Sequence, residues 1–290
     1  MTIVSGFLTN NAVVLAADSQ EVVSDFTKAP TQKIQITNYV GHWRLAMAGS
    51  SDHSQYIRLI ESELSMRLAN LPKFDYPAIV SIIKATVHQV HKQHIWPRPS
   101  NRPEVQIIYA IQGLTPTPSR ALLVSEDSAV TPVNDYMSVG IGTYLADYLK
   151  KRIYPNRGDV YNAPIEQVVN TAIFVLQQVK KTILGCGEET NVVVFYGDGT
   201  WRWITTPEVR QIELWLDEFH NAQRPLLRAI SDSRTPTDKM EEQVREFSAR
   251  LALIKSAQVS VNNYVDAQKA AAQKAHATTP SGSQKSEKAR

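Results

Sequence analysis

The sequence is short of cysteine, of long apolar runs and of charge imbalance. One cysteine, Cys186, stands in 290 residues, so no disulfide can form within the chain, and a reducing compartment fits. No run approaches the roughly 18 apolar residues of a membrane-spanning helix. The first residues carry neither the basic nor the apolar stretch of a secretion signal. Lys and Arg number 31 against 28 Asp and Glu, a net charge of +3. The two signs are interspersed, which argues against a dedicated nucleic-acid surface. The expectation is a cytoplasmic, soluble protein with no nucleic-acid and no membrane partner. No internal repeat is visible. His88, His91 and His94 follow one another along a helix without a carboxylate, which favours a solvated helix face over a metal site. The Gly140-x-Gly142 pair is too short for a phosphate loop.

What is present suffices for one large domain or two small ones, since 43% of the residues are hydrophobic. The first eighteen residues organise the rest. Thr2 to Phe7 reads as a strand and Asn10-Asn11 as a turn, because Asn tolerates left-handed backbone angles. Ala12 to Ala17 reads as an apolar strand with Asp18 at its end. Such a hairpin brings Asp18 back to Thr2. Thr2 is small, so an aminopeptidase is expected to trim Met1 and free the threonine α-amine. An amine, a hydroxyl and a carboxylate together form a nucleophile with its own base. Taken singly, Thr2 is an ordinary second residue.

Further along, strands are expected near Ile34 to Thr37 and from Trp43 to Ala48. Ser50 or Ser51 caps a helix over His53 to Leu71, and a second helix covers Tyr76 to His94. Trp96 to Pro103 is a rigid connector. Val105 to Ile111, Arg120 to Val124 and Thr131 to Val139 read as extended. A third helix begins at Gly142. A fourth starts at Pro164 and is ended by Gly185-Cys186-Gly187. Asn191 to Tyr196 and Trp201 to Ile204 form a hairpin. Strands, two helices, strands, two helices and strands give an α+β class with segregated helix pairs. Composition changes after Pro207. A helical extension is expected over 208–276, with a break at Pro225 and a linker over Ser231 to Thr237. A disordered tail is expected over 277–290, leaving 1–207 as the main domain.

The stretch from Thr2 to Asp18 resembles the start of proteasome β subunits and of the bacterial HslV-type protease. Gln32-Lys33-Ile34-Gln35-Ile36 looks like the family's lysine-bearing strand. Leu45 to Asp52 looks like its Ala-Gly-Gly segment, and Ser138 to Tyr144 like its Ser/Thr-x-Gly-Ser-Gly-x-x-Tyr segment. The match covers about the first two-thirds of the chain. It implies a four-layer αββα sandwich and a threonine endopeptidase with an N-terminal nucleophile, working without metal or cofactor in a self-assembling homo-oligomeric ring. By the same resemblance Thr2 is the nucleophile, Lys33 tunes the amine, Asp18 holds Lys33, and the Gly49 N–H stabilises the oxyanion. Met47, Val22 and Thr31 would shape the substrate pocket. Unfolded protein or peptide would be the substrate, and an ATPase unfoldase is a candidate partner. Lys28 is read as a loop residue. Two departures stand out: Ile141 replaces the family's serine, and no aspartate stands near Thr182, within Lys180-Lys181-Thr182. They leave two other readings open, a catalytically weak or inactive ring component and an amidase acting on a small molecule.

Overall fold

The computed structural model describes residues 2–24, 27–39, 41–98, 100, 102–114, 119–156 and 158–277, without the side chains of 21–30 and 260–277. The chain divides into two compact units, Met1–Glu213 and Leu214–Arg290.

The first unit is built on two antiparallel five-stranded sheets. One runs in the order β10-β1-β2-β11-β12, where β1 is Ile3–Leu8, β2 Ala12–Asp18, β10 Tyr136–Gly140, β11 Thr190–Tyr196 and β12 Trp201–Ile204. The other runs β5-β6-β7-β8-β9, with β5 Gln35–Tyr39, β6 Trp43–Ser51, β7 Val105–Gly113, β8 Ser119–Glu126 and β9 Ala129–Val133. A separate hairpin joins β3 (Gln20–Ser24) to β4 (Thr27–Pro30). β1 and β10 contact β6 and β7, so the two sheets face each other. Helices α1 (Ser54–Leu68) and α2 (Tyr76–Val90) cover the second sheet. Helices α3 (Thr143–Ile153) and α5 (Ile165–Thr182) cover the first, and a single turn, α4 (Asp159–Asn162), precedes α5. Helices, sheet, sheet and helices stack in that order, which is the expected α+β class.

This layering explains the unbroken apolar strands. Along β2, Val13, Leu15 and Ala17 enter the core between the sheets, while Val14 and Ala16 are fully buried on the opposite face, in a strand that contacts α5. β7 behaves alike: Ile108 and Ala110 face the first sheet, and Ile107, Tyr109 and Ile111 face α1 and α2. A strand covered on both faces reads as continuous rather than alternating. Small residues let the sheets approach. A Cβ on Gly6 would lie 3.0 Å from both Ile108 and Leu122 side chains.

Several expectations are corrected. β6 runs on through Ser51, and the cap of α1 is His53, without a side-chain bond. Ser51 Oγ accepts the His53 N–H, at 3.2 Å. The helix expected over Tyr76 to His94 is α2 to Val90, continued by a π-helical stretch over His91–Ile95. The extended stretch Thr131 to Val139 is two strands, β9 and β10, in different sheets. α5 stops at Thr182, before the glycines around Cys186. Lys33 lies outside a strand, since β5 begins at Gln35. Lys28 is in β4, not in a loop.

α6 (Thr206–Ser231) begins in the first unit and continues into the second without breaking at Pro225. In the second unit it is followed by α7 (Thr237–Ala277), and the rings of Phe219 and Phe247 pack 5.9 Å apart. The tail after Ala277, expected to be disordered, lies outside the described residues.

Candidate active site

The β1–β2 register pairs Val4 with Ala17. One step further out, Ile3 donates its N–H to Asp18 Oδ1 at 3.0 Å. Thr2 then stands beside the carboxylate, and its Oγ1 hydrogen-bonds to Asp18 Oδ1. Lys33 arrives from the segment between β4 and β5. That segment is anchored by the Thr31 N–H on Ser19 O (2.6 Å) and by Ile34, fully buried between the sheets. Lys33 Nζ reaches Asp18 Oδ1 at 2.8 Å and also contacts Thr2 Oγ1. Asp18 is fully buried and Thr2 nearly so. A buried carboxylate is costly unless paired and hydrogen-bonded. Asp18 has the Lys33 ammonium, the Thr2 hydroxyl, the Ile3 N–H and, on Oδ2, the Gly187 N–H at 3.2 Å.

Glycines bring backbone close to this cluster. Gly140 has φ +103°, and a Cβ there would lie 2.2 Å from Thr2 O. Its N–H is held by Gln106 Oε1 at 2.9 Å, and the next N–H, of Ile141, donates to Thr2 O at 3.1 Å. The Ile141 side chain itself is half exposed. Gly49 lies within β6. A Cβ on it would lie 2.6 Å from Gln106 O.

Thr2, Lys33 and Gly49 open onto one cleft of about 310 Å3. Thr31, Gln20, Gln32 and Gln35 form one part of its lining. Ser51, Ser54, Ile57, Arg58 and Glu61 form another. Burial raises the Glu61 carboxyl above the usual range, opposed by Arg58. The structure thus brings Thr2, Asp18, Lys33 and Gly49 together, with Thr31 at the cleft. Met47 is not among the lining residues; it is buried in the cluster beneath α1 and α2. The side chain of Val22 lies outside the described residues. The polar wall from α1 was not anticipated, because a helix face shows its sequence neighbours but not the cleft it borders.

Other titratable groups have structural surroundings. The Cys186 thiol is pushed up to about 12, first by burial and then by Asp18, with Lys33 opposing. Burial and the neighbouring carboxylate thus disfavour the thiolate, the form that reacts. A ring nitrogen of His91 bonds Val87 O at 2.9 Å, and His88 packs edge-on against Trp96. Sequence reasoning missed the Gly187 N–H, the Gly140 approach to Thr2 and the Gln106 bond. Gly140 sat inside a recognised segment, but backbone donors leave no mark in a sequence.

Known structures with this architecture have a proteasome-like fold. A mutant Anbu from Hyphomicrobium sp. strain MC1 aligns with a TM-score of 0.62 at 12% identity, covering 77% of this chain and 97% of its own. Anbu from Yersinia bercovieri, described as an ancestral β-subunit, aligns at 0.61 and 13% identity over 74% of this chain and 93% of its own. The helical assembly of the Anbu complex from Pseudomonas aeruginosa aligns at 0.61 and 12% identity over 77% and 95%. At such identities the likeness is one of fold. No protein-family model matches the chain, and no curated protein matches its sequence.

Proposed function

We propose that the chain is a proteasome-like threonine peptidase of the N-terminal-nucleophile class, acting as a homo-oligomer. The observation that carries the reading is the mutual contact of Thr2 Oγ1, Lys33 Nζ and Asp18 Oδ1 at the edge of a cleft. With Met1 removed, the Thr2 amine has a reference pKa near 8, so a useful fraction is neutral at working pH. The amine takes the hydroxyl proton as Oγ1 attacks the peptide carbonyl carbon. The Lys33 ammonium, held by Asp18, favours the developing negative charge on Oγ1. The Gly49 N–H receives the tetrahedral oxyanion. The C–N bond then breaks, the leaving amine takes the proton, and an ester on Thr2 remains for water to hydrolyse. Peptide or unfolded protein is the substrate, and an ATPase unfoldase is a compatible partner. The assembled form of the similar Pseudomonas aeruginosa protein supports a homo-oligomer.

A weak or inactive ring component is the second reading. It is favoured by Ile141, which has no side-chain hydrogen-bonding group, and by the Lys181-Thr182 end of α5, where the family resemblance expects an aspartate. One experiment separates them. Intact mass should show Met1 absent, and an epoxyketone or boronate should add to Thr2. Thr2→Ala should abolish both labelling and peptide cleavage. Labelling that persists in that variant, or a retained Met1, overturns the peptidase reading.

A further inference from the structure

Behind Asp18 lies a second ionic cluster. Lys180, near the end of α5, donates to Thr190 Oγ1 at 2.7 Å and to Glu188 O at 3.1 Å, and it pairs with Glu213 Oε1 at 2.8 Å. Thr190 Oγ1 also donates to Glu213 Oε1, at 3.1 Å. Glu213 is the last residue of the first unit and lies on α6. Every partner of Lys180 here either belongs to or abuts the segment that clasps Asp18. Thr190 sits opposite Asp18 in the β2–β11 register. Glu189 exchanges two bonds with Ser19, through Ser19 N to Glu189 O at 2.8 Å and Glu189 N to Ser19 Oγ at 2.9 Å. Gly187 donates to Asp18 Oδ2.

We infer that Lys180 and Glu213 are positioning residues, which hold the segment 185–190 against Asp18 and thereby align Lys33 with Thr2. The inference rests on the peptidase reading for its kinetic consequence, not for its geometry. A carboxylate turns easily about its terminal torsion, which is broad. The Gly187 N–H on Oδ2, with the Ile3 N–H on Oδ1, restrains that torsion and keeps Oδ1 toward Lys33 and Thr2. The segment's other anchors are the two Glu189–Ser19 bonds, the β2–β11 pairing that begins at Thr190, and a surface ion pair. Arg210 pairs with Glu189 at 2.7 Å, but both side chains are largely solvated, 68% and 46% exposed, against 11% and 22% for Lys180 and Glu213. Exposed pairs contribute little, whereas removing one member of a shielded pair leaves a desolvated charge without its partner. Of the two ion pairs, Lys180–Glu213 is therefore the one expected to hold the segment. It also stands within the lysine–threonine stretch where the resemblance leads one to expect an acid. The support in this chain is a cation that binds the segment from behind.

Cys186 lies within the segment, is 5% exposed, and is the chain's one cysteine. Its alkylation rate in the full-length protein reports opening of the segment whether or not the protein is active. Opening would expose the thiol and let it return toward its ordinary pKa near 8.5. In Lys180→Met, native-state alkylation by N-ethylmaleimide should rise at least about tenfold, as expected for local opening without global unfolding. Peptide turnover should fall in kcat with KM unchanged, because alignment and not substrate binding is lost. Lys180→Arg should recover part of both. An unchanged alkylation rate overturns the inference, and so does faster alkylation with kcat intact. If Lys180→Met does not fold, Glu213→Gln decides: alkylation at the wild-type rate overturns the inference, and a several-fold rise supports it. A wild-type protein that is never labelled at Thr2 sinks the peptidase reading instead, and the alkylation rate then decides this one alone.

Discussion

Lys33 is a partly buried cation and Lys150 a fully buried one, and their surroundings give them different tasks. Lys33 keeps 11% of its side chain exposed, at the cleft, and faces the fully buried Asp18. Lys33→Ala would leave that carboxylate without its counter-charge. It should cost roughly 3 kcal/mol of stability, the usual penalty for breaking a buried pair, and should lower turnover on the order of 10²-fold or more, the scale of a lost electrostatic stabiliser. Lys33→Arg should restore most of the stability and little of the turnover, since a guanidinium keeps the charge but not the point donor that meets Thr2 Oγ1. Denaturant unfolding and peptide turnover measured on the same samples check this, and turnover close to wild type in Lys33→Ala would show that Lys33 is structural only. Lys150 does not line that cleft. It is fully buried and donates to Ser138 Oγ at 2.8 Å; Ser138 in turn bonds Ser5 at 2.6 Å. It pairs with Asp147 at 2.9 Å and lies 4.6 Å from the Tyr136 ring. Burial pulls its ammonium down to about 8, with Asp147 and then Asp135 opposing. The folded pKa is below the unfolded one, so between pH 8 and about 10.4 the unfolded chain binds more protons and stability must rise with pH. Relative to Lys150→Met, the wild-type protein should gain on the order of 2–3 kcal/mol over that window, at 1.36 kcal/mol per unit. Unfolding of both proteins at pH 7.5 and 10 tests this, and a difference that does not change with pH refutes the depressed pKa.

At the scale of elements, α6 is the piece whose boundary matters. Composition alone puts a division after Pro207, yet Val209 is 2% exposed and Glu213 bonds Lys180 and Thr190. The first two turns of α6 thus belong to the packing of the first unit. A chain ended after Pro207 should lose Val209 burial, about 2 kcal/mol for a fully buried side chain, together with the Glu213 pair. A chain ended after Asp232 should keep both. The first truncation should therefore lower Tm by several degrees more than the second, and equal Tm values would show that α6 is an appendage throughout. The same residues show what a sequence can and cannot display. β2, β7 and α5 were legible because burial on two faces, or on one helical stripe, imposes an apolar pattern on the chain. The Thr2–Asp18 approach was legible because a tight hairpin returns a strand end to its start. β3 and β4 were not, since Gln20 to Ser24 and Thr27 to Pro30 mix polar, charged and apolar residues without a clean period. Lys33 was legible as a residue but not as a position: its segment lacks a ladder and is fixed by Thr31 and Ile34. Gly187 was read as a helix terminator, although its N–H is what matters, and Lys180 was noticed only for not being an acid.

For the whole molecule, the second unit carries apolar side chains that its own helices do not cover. Leu214, Leu227, Ile230, Val244, Leu253 and Val259 are each more than 45% exposed. Scattered apolar residues are ordinary on a surface, and these do not share one helical face, but six of them on two consecutive helices leave apolar area that an assembly could bury. A homo-oligomer presents every copy of such a surface to a neighbouring copy. The proposed assembly therefore gives these side chains a task distinct from the chemistry at Thr2. Removing residues after Asp232 deletes α7 and leaves the first unit whole. That variant should form a smaller assembly by light scattering or native mass spectrometry. Its first unit should unfold at nearly the full-length temperature, and each subunit should keep its capacity for Thr2 labelling. Charge substitution offers a finer version. Leu253→Glu and Val259→Lys sit on exposed positions and should leave the monomer's stability within about 0.5 kcal/mol, as surface changes do. If these α7 positions lie in an interface, burying a charge there should weaken association at least about tenfold, because an unpaired charge is costly to desolvate. Full-length stoichiometry retained both without α7 and with the charges in place would show that α7 takes no part in assembly.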